Sequence, residues 1–106
     1  MFLLAVDLPK SDELYLYSNP VKAQTQAFKY LGKNAVLYKS QNINKKYAII
    51  DPSGKTTNFG QLGYEDFTKH NDKLRRKNYL TRTAGMKGNW KNNPYSANNL
   101  SRNILW

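Results

Sequence analysis

The chain has no cysteine and a single histidine, His70. Disulfide scaffolds and thiolate metal sites are therefore excluded, and an imidazole-based metal site would need carboxylate partners. Acid is scarce in the second half. Residues 67–106 hold nine Lys or Arg against one acid, Asp72, whereas residues 1–66 hold eight Lys against six acids. Long apolar runs are also missing. Nothing approaches the roughly 20 residues of a membrane helix, and the apolar start, Met1–Val6, ends at Asp7 without a basic leader, which argues against a signal peptide. The expectation is an intracellular protein with no transmembrane segment.

What remains is short, basic and aromatic. The chain has 106 residues, a net charge of +10, and eight tyrosines and two tryptophans. That length means one domain with one modest core. A charge so unevenly placed favours an acidic partner: nucleic acid, an acidic protein surface or an anionic membrane.

Local patterns predict an α+β fold. Met1–Val6 reads as a strand, and Leu14–Tyr17 as a second short one. Asn19-Pro20 is a helix start, an N-cap followed by proline at the first helical position. Val21, Gln24, Phe28 and Leu31 follow at helical spacing, with Ala23, Ala27 and Tyr30 beside them, and Gly32 is the stop. Residues 35–39, 46–50 and 55–59 read as three strands of an antiparallel meander, the last two joined by the tight turn Asp51-Pro52-Ser53-Gly54. The helix at 20–31 is expected to pack on the meander. Glu65 and Asp66 suit a helix start, residues 72–84 form a basic helix, and residues 85–93 a loop around Trp90. A last short helix starts near Asn93-Pro94 or Ser96. The organisation expected is an α+β body over 1–66 and a basic, aromatic, helical or extended segment over 67–106, one domain overall.

Motifs for chemistry are weak. Ser53-Gly54-Lys55-Thr56 has the end of a phosphate-binding loop, but Ile49 stands where its first glycine belongs, and strands flank it on both sides. His70 lies near Glu65, Asp66 and Asp72 without a second histidine to complete a ligand set. Adjacent Glu65 and Asp66 point apart on a helix and make a poor acid–base pair. No catalytic residue, cofactor site or metal site is expected, and the protein reads as a binder, not an enzyme.

The strong feature is the basic cluster. Arg75, Arg76, Lys77 and Arg82 could neutralise phosphates while Tyr79 and Trp90 offer stacking surfaces. They could equally form a solvated helix face, or dock on protein, because Arg and aromatic side chains are favoured interface anchors. Trp90, Tyr95, Leu100, Ile104 and Trp106 are many large groups for a thin tail. Unless they fold back on the meander, they insert into a partner.

The string Arg75-Arg76-Lys77-Asn78-Tyr79-Leu80-Thr81-Arg82, then Gly88-Asn89-Trp90-Lys91, then Asn93–Ser101 and Ile104-Leu105-Trp106, resembles a family of small basic proteins of unknown function encoded by large nucleocytoplasmic DNA viruses. With Asn58-Phe59-Gly60 upstream, the resemblance spans roughly residues 58–106. It implies a virion structural protein, a minor capsid or cement component made in the host cytoplasm, with other capsid proteins, the major capsid protein first among them, as partners. The alternative is a sequence-independent nucleic-acid-binding protein of such a virus. The partner-binding residues expected are Arg75, Arg76, Lys77, Tyr79, Arg82, Trp90, Tyr95, Leu100, Ile104 and Trp106. A tail that only docks implies that residues 86–106 can be removed without unfolding the body.

Overall fold

The computed structural model describes residues 13–106. The strand expected at Met1–Val6 lies outside the described residues. Leu14–Tyr17 is not a strand but one helical turn, α1. Its run of alternating Leu and Tyr suits either geometry. Hydrogen bonds decide: Ser18 N–H closes the turn on Leu14 O at 2.9 Å, and Asp66 N–H donates to Tyr17 O at 3.1 Å.

The helix α2 runs Pro20–Leu31, as its caps predict. Asn19 Oδ1 accepts from Lys22 N–H at 3.2 Å, proline occupies the first turn, and Gly32 ends the helix with φ +99°. The buried face differs from the expected stripe. Ala23, Gln24 and Ala27 are buried, while Val21 and Phe28 remain 55% and 40% exposed. Small side chains let α2 lie close against the C-terminal helical segment, a contact that a Val/Phe stripe would hold apart.

Three antiparallel strands follow in the order β1–β2–β3: Leu37–Lys39, Lys45–Ile50 and Thr56–Gln61. Tyr47 faces both Lys39 and Phe59 in the register. Asp51 shapes the β2–β3 turn, its Oδ1 accepting from Ser53 N–H at 2.9 Å and Lys55 N–H at 3.0 Å. Residues 51–55 are therefore a hairpin turn, and Thr56 already belongs to β3. The rest is helical: α3 at Phe67–His70, α4 at Lys73–Ala84, a 3-10 turn at Trp90–Asn92, and α5 at Ala97–Leu100 running into a π-helical turn at Ser101–Leu105.

One core unites both halves of the chain. Leu37, Tyr47, Ile49 and Phe59 of the sheet meet Ala23 and Ala27 of α2 and Leu100, Ile104 and Leu105 of the last helical segment. Leu100 and Ile104 are 0% and 1% exposed. They are core residues and cannot anchor a partner, which corrects the expectation for both. Apolar side chains of a thin tail bury themselves on the nearest apolar surface, and here that surface is the meander's own face.

Candidate functional site

A cleft of 760 Å³ opens between the end of β3 with its following loop and the helix α4. Gly60, Gln61, Tyr64 and Glu65 line one wall; Arg75, Asn78 and Arg82 line the other. Residues three and seven positions apart share a helix flank, so Arg75, Asn78 and Arg82 form one row. The helix starts firmly: Asp72 Oδ1 accepts from Leu74 N–H at 2.9 Å and Arg75 N–H at 3.2 Å.

The loop wall is held by a buried polar chain. Lys46 Nζ donates to Asp66 Oδ2 at 3.0 Å, Tyr64 O at 2.6 Å and Tyr17 O at 3.3 Å. Asp66 Oδ1 accepts from the Thr68 hydroxyl. Tyr47 OH donates to Ser18 Oγ at 2.7 Å. Thr68 has given its only proton to Asp66, so the 3.1 Å contact between Ser18 and Thr68 runs from Ser18 to Thr68. The chain of donors thus points from Tyr47 through Ser18 and Thr68 to the Asp66 carboxylate. Burial lowers the Lys46 pKa, against the opposing pull of Asp66, and raises that of the Tyr47 phenol. Lys46 and Asp66 are almost wholly buried. Their charges cancel locally, and the cleft's cationic character comes from α4.

Tyr79 and Trp106 sit at the base of the cleft, stacked at 4.1 Å and 8° between planes. The Arg82 guanidinium lies 5.5 Å from the Tyr79 ring, and the His70 ring 5.1 Å from that of Trp106. The two rings cover one face of each other, so that face of each is closed to a nucleobase. Arg76 faces inward on the helix. Its Nε donates to Trp106 O at 2.5 Å and its guanidinium lies 5.2 Å from the Phe67 ring. Arg75 makes a 3.4 Å pair with Glu65 that is about half exposed on both sides and contributes little.

The opposite flank of α4 carries Lys73 and Lys77, both exposed, whose side chains make no hydrogen bond or ion pair among the described residues. Between the flanks, on the outward crest, Leu74 is 66% exposed. Tyr64 at the cleft mouth and Met86 beyond the end of α4 are exposed too.

The predicted site residues therefore divide. Arg75, Tyr79, Arg82 and Trp106 gather around the cleft, and Lys77 lies on the far flank of α4. Trp90 is a fastening residue: its Nε1 donates to Met86 O at 2.8 Å, and Arg102 and Lys91 each lie 5.5 Å from its ring. Tyr95 packs against the core. The asparagines of the C-terminal string tie loops together. Asn99 Nδ2 donates to Trp90 O at 2.8 Å and Asn93 O at 2.9 Å, and Asn98 Nδ2 to Thr83 O at 3.1 Å. Sequence reasoning missed Leu74, Gln61, Tyr64 and Asn78. An apolar residue among five cations on one helix was the available signal for Leu74; a loop tyrosine carries none.

Residues 35–83, just under half of the chain, match a family of unknown function (DUF5754). The match runs from the sheet through the cleft walls to the last turn of α4. No curated protein and no solved structure matches the chain. Among the described residues no helix is long and apolar enough to cross a membrane.

Proposed function

We propose that the protein is a docking component, a virion structural protein of the minor capsid or cement type, whose α4 and adjoining cleft seat on an acidic surface of a larger capsid protein. Leu74 carries this reading. An apolar side chain on the crest of a cationic helix, 66% exposed, gains nothing from a phosphate backbone. It gains from a protein surface that excludes water around it while the flanking cations meet carboxylates. The resemblance over residues 58–106 supplies the viral setting and the major capsid protein as the first partner to try.

The test is incorporation. Leu74→Asp alters an exposed position in the first turn of α4, where an acid is tolerated by the helix dipole. The folded chain should keep its stability to within about 0.5 kcal/mol. Particles produced with this variant should carry several-fold less of the protein than wild-type particles; equal amounts would reject the docking reading.

The second reading is sequence-independent nucleic-acid binding, favoured by the uncommitted Lys73 and Lys77 beside Arg75 and Arg82. It predicts a log–log salt slope of about one unit for each phosphate engaged.

A further inference from the structure

Among the described residues the sheet ends at β3, and no further strand pairs with that edge. In an antiparallel pair, successive residues turn their main-chain groups alternately toward the neighbouring strand and away from it. Asp51 N–H donating to Lys55 O at 2.9 Å sets the phase of the β2–β3 ladder. With Ile49 opposite Thr57 and Tyr47 opposite Phe59, the odd-numbered residues of β3 face β2. Thr56 and Asn58 therefore turn N–H and C=O outward. Among the described residues neither main chain has another hydrogen-bond partner. Thr56 is exposed and Asn58 half-buried, and main-chain groups of this kind call for a partner.

The opposite edge is treated differently. At β1, Gln24 reaches across from α2, accepting from Leu37 N–H at 2.9 Å and donating to Ala35 O at 2.8 Å. A buried glutamine closes one edge of the sheet. The other has none of the usual guards, since Thr56–Gln61 contains no charge and no proline. Beyond Asn58 the open edge leads directly into the cleft. Gly60, at φ +81°, and Gln61 line it opposite Arg75 and Arg82.

Building on the docking reading of α4, we propose that β3 accepts a further strand: an extended segment of the partner protein pairs with Thr56 and Asn58 and carries carboxylate side chains into the cleft against Arg75 and Arg82. Main-chain pairing supplies affinity without reading sequence, and the side chains on alternate positions supply selectivity. A nucleic acid has no ladder of N–H and C=O groups to offer this edge. The cations of the cleft select acidic over basic segments.

The probe is a synthetic peptide of about six residues, the usual strand length, alternating Thr with Glu. Two controls accompany it: the Thr/Lys counterpart, and the Thr/Glu peptide N-methylated at alternate residues, which keeps the charge and removes the donors. Binding is followed by amide chemical shifts and hydrogen exchange of the full chain. The acidic peptide should shift and protect the Thr56 and Asn58 amides, and N-methylation should weaken it about tenfold or more through the lost hydrogen bonds. Arg75→Ala/Arg82→Ala should weaken it further, and the Thr/Lys peptide should not bind. Equal binding of parent and N-methylated peptides, or shifts confined to α4, would overturn strand addition while leaving charge-driven docking intact. No binding of the acidic peptide at millimolar concentration would also overturn it. Protection of the edge that rises with protein concentration alone would assign it to a second copy and overturn it likewise. Loss of particle incorporation by Leu74→Asp is independent of all these outcomes, so the two ideas fail separately.

Discussion

At the residue scale the cleft wall depends on one buried charge pair. Lys46 and Asp66 each satisfy the other and three further groups: Tyr17 O and Tyr64 O for the ammonium, and the Thr68 hydroxyl for the carboxylate. Removing one partner leaves an uncompensated charge in the interior. Lys46→Met should cost about 3–5 kcal/mol of unfolding free energy, measured by denaturant titration, and Lys46→Met/Asp66→Asn should recover part of the loss. Nothing in the sequence marked this pair. Lys46 opens the expected strand at 46–50, and the carboxylate that neutralises it lies twenty positions on, beyond any local pattern.

His70 is the other residue whose surroundings decide its chemistry. Its Nδ1 accepts from Asp72 N–H at 2.9 Å, so the neutral ring carries its proton on Nε2, which has no acceptor. Burial, with help from Arg75, lowers its pKa, against weaker opposing pulls from Glu65, Asp72 and Asp66. A lowered pKa means that the unfolded chain binds the proton more readily. The stability due to neutral His70 is therefore complete above the unfolded value of about 6.5 and is lost as pH falls through the folded value. The thermal midpoint should drop on acidification through that window. In His70→Gln, whose amide oxygen can take the same N–H, that part of the drop should be absent; an unchanged profile would show that other groups cause it.

At the element scale, caps and turns were legible because their signals are local. Asn19-Pro20, Gly32, the Asp51 turn and Asp72 each name a helix end or a hairpin within a few residues. The three strands and the basic helix follow from them. Which face of α2 is buried was not legible, since Val21 and Phe28 are larger than Ala23 and Ala27, and only the approach of the C-terminal segment favours the small ones. Leu14–Tyr17 was also misread, because four alternating apolar residues fit a strand as well as a turn of helix. The bend at Gly60 needs its glycine. At φ +81°, a Cβ there would come 2.8 Å from Leu105 Cδ1 and 3.2 Å from Lys46 Cβ. Gly60→Ala should therefore destabilise by about 1–3 kcal/mol, read as a lower denaturant midpoint with unchanged m-value.

At the scale of the whole molecule, the C-terminal segment is part of the body. Its composition suggested a separate docking tail, but Leu100, Ile104 and Leu105 complete the core, and Arg102 Nη1 bonds Leu80 O and Thr83 Oγ1 at 2.6 Å each. Deleting residues 86–106 should thus unfold the protein, seen as loss of the cooperative transition, and Leu100→Ala alone should cost about 2–5 kcal/mol. The basic cluster was legible as the surface most suited to a partner. Its division into a cleft row, an inward arginine and an outward lysine flank was not, because that depends on how α4 is rotated against Trp106.

The docking account turns on what α4 recognises, and binding of the purified chain to duplex DNA across a salt titration tests that most directly. A protein-docking face predicts binding weaker than about 10⁻⁴ M at physiological salt, below the usual non-specific range, and no dependence on Arg75 or Arg82. Tighter binding, with a slope of several units that falls by about one for each arginine removed, would contradict the account and make the protein a genome binder.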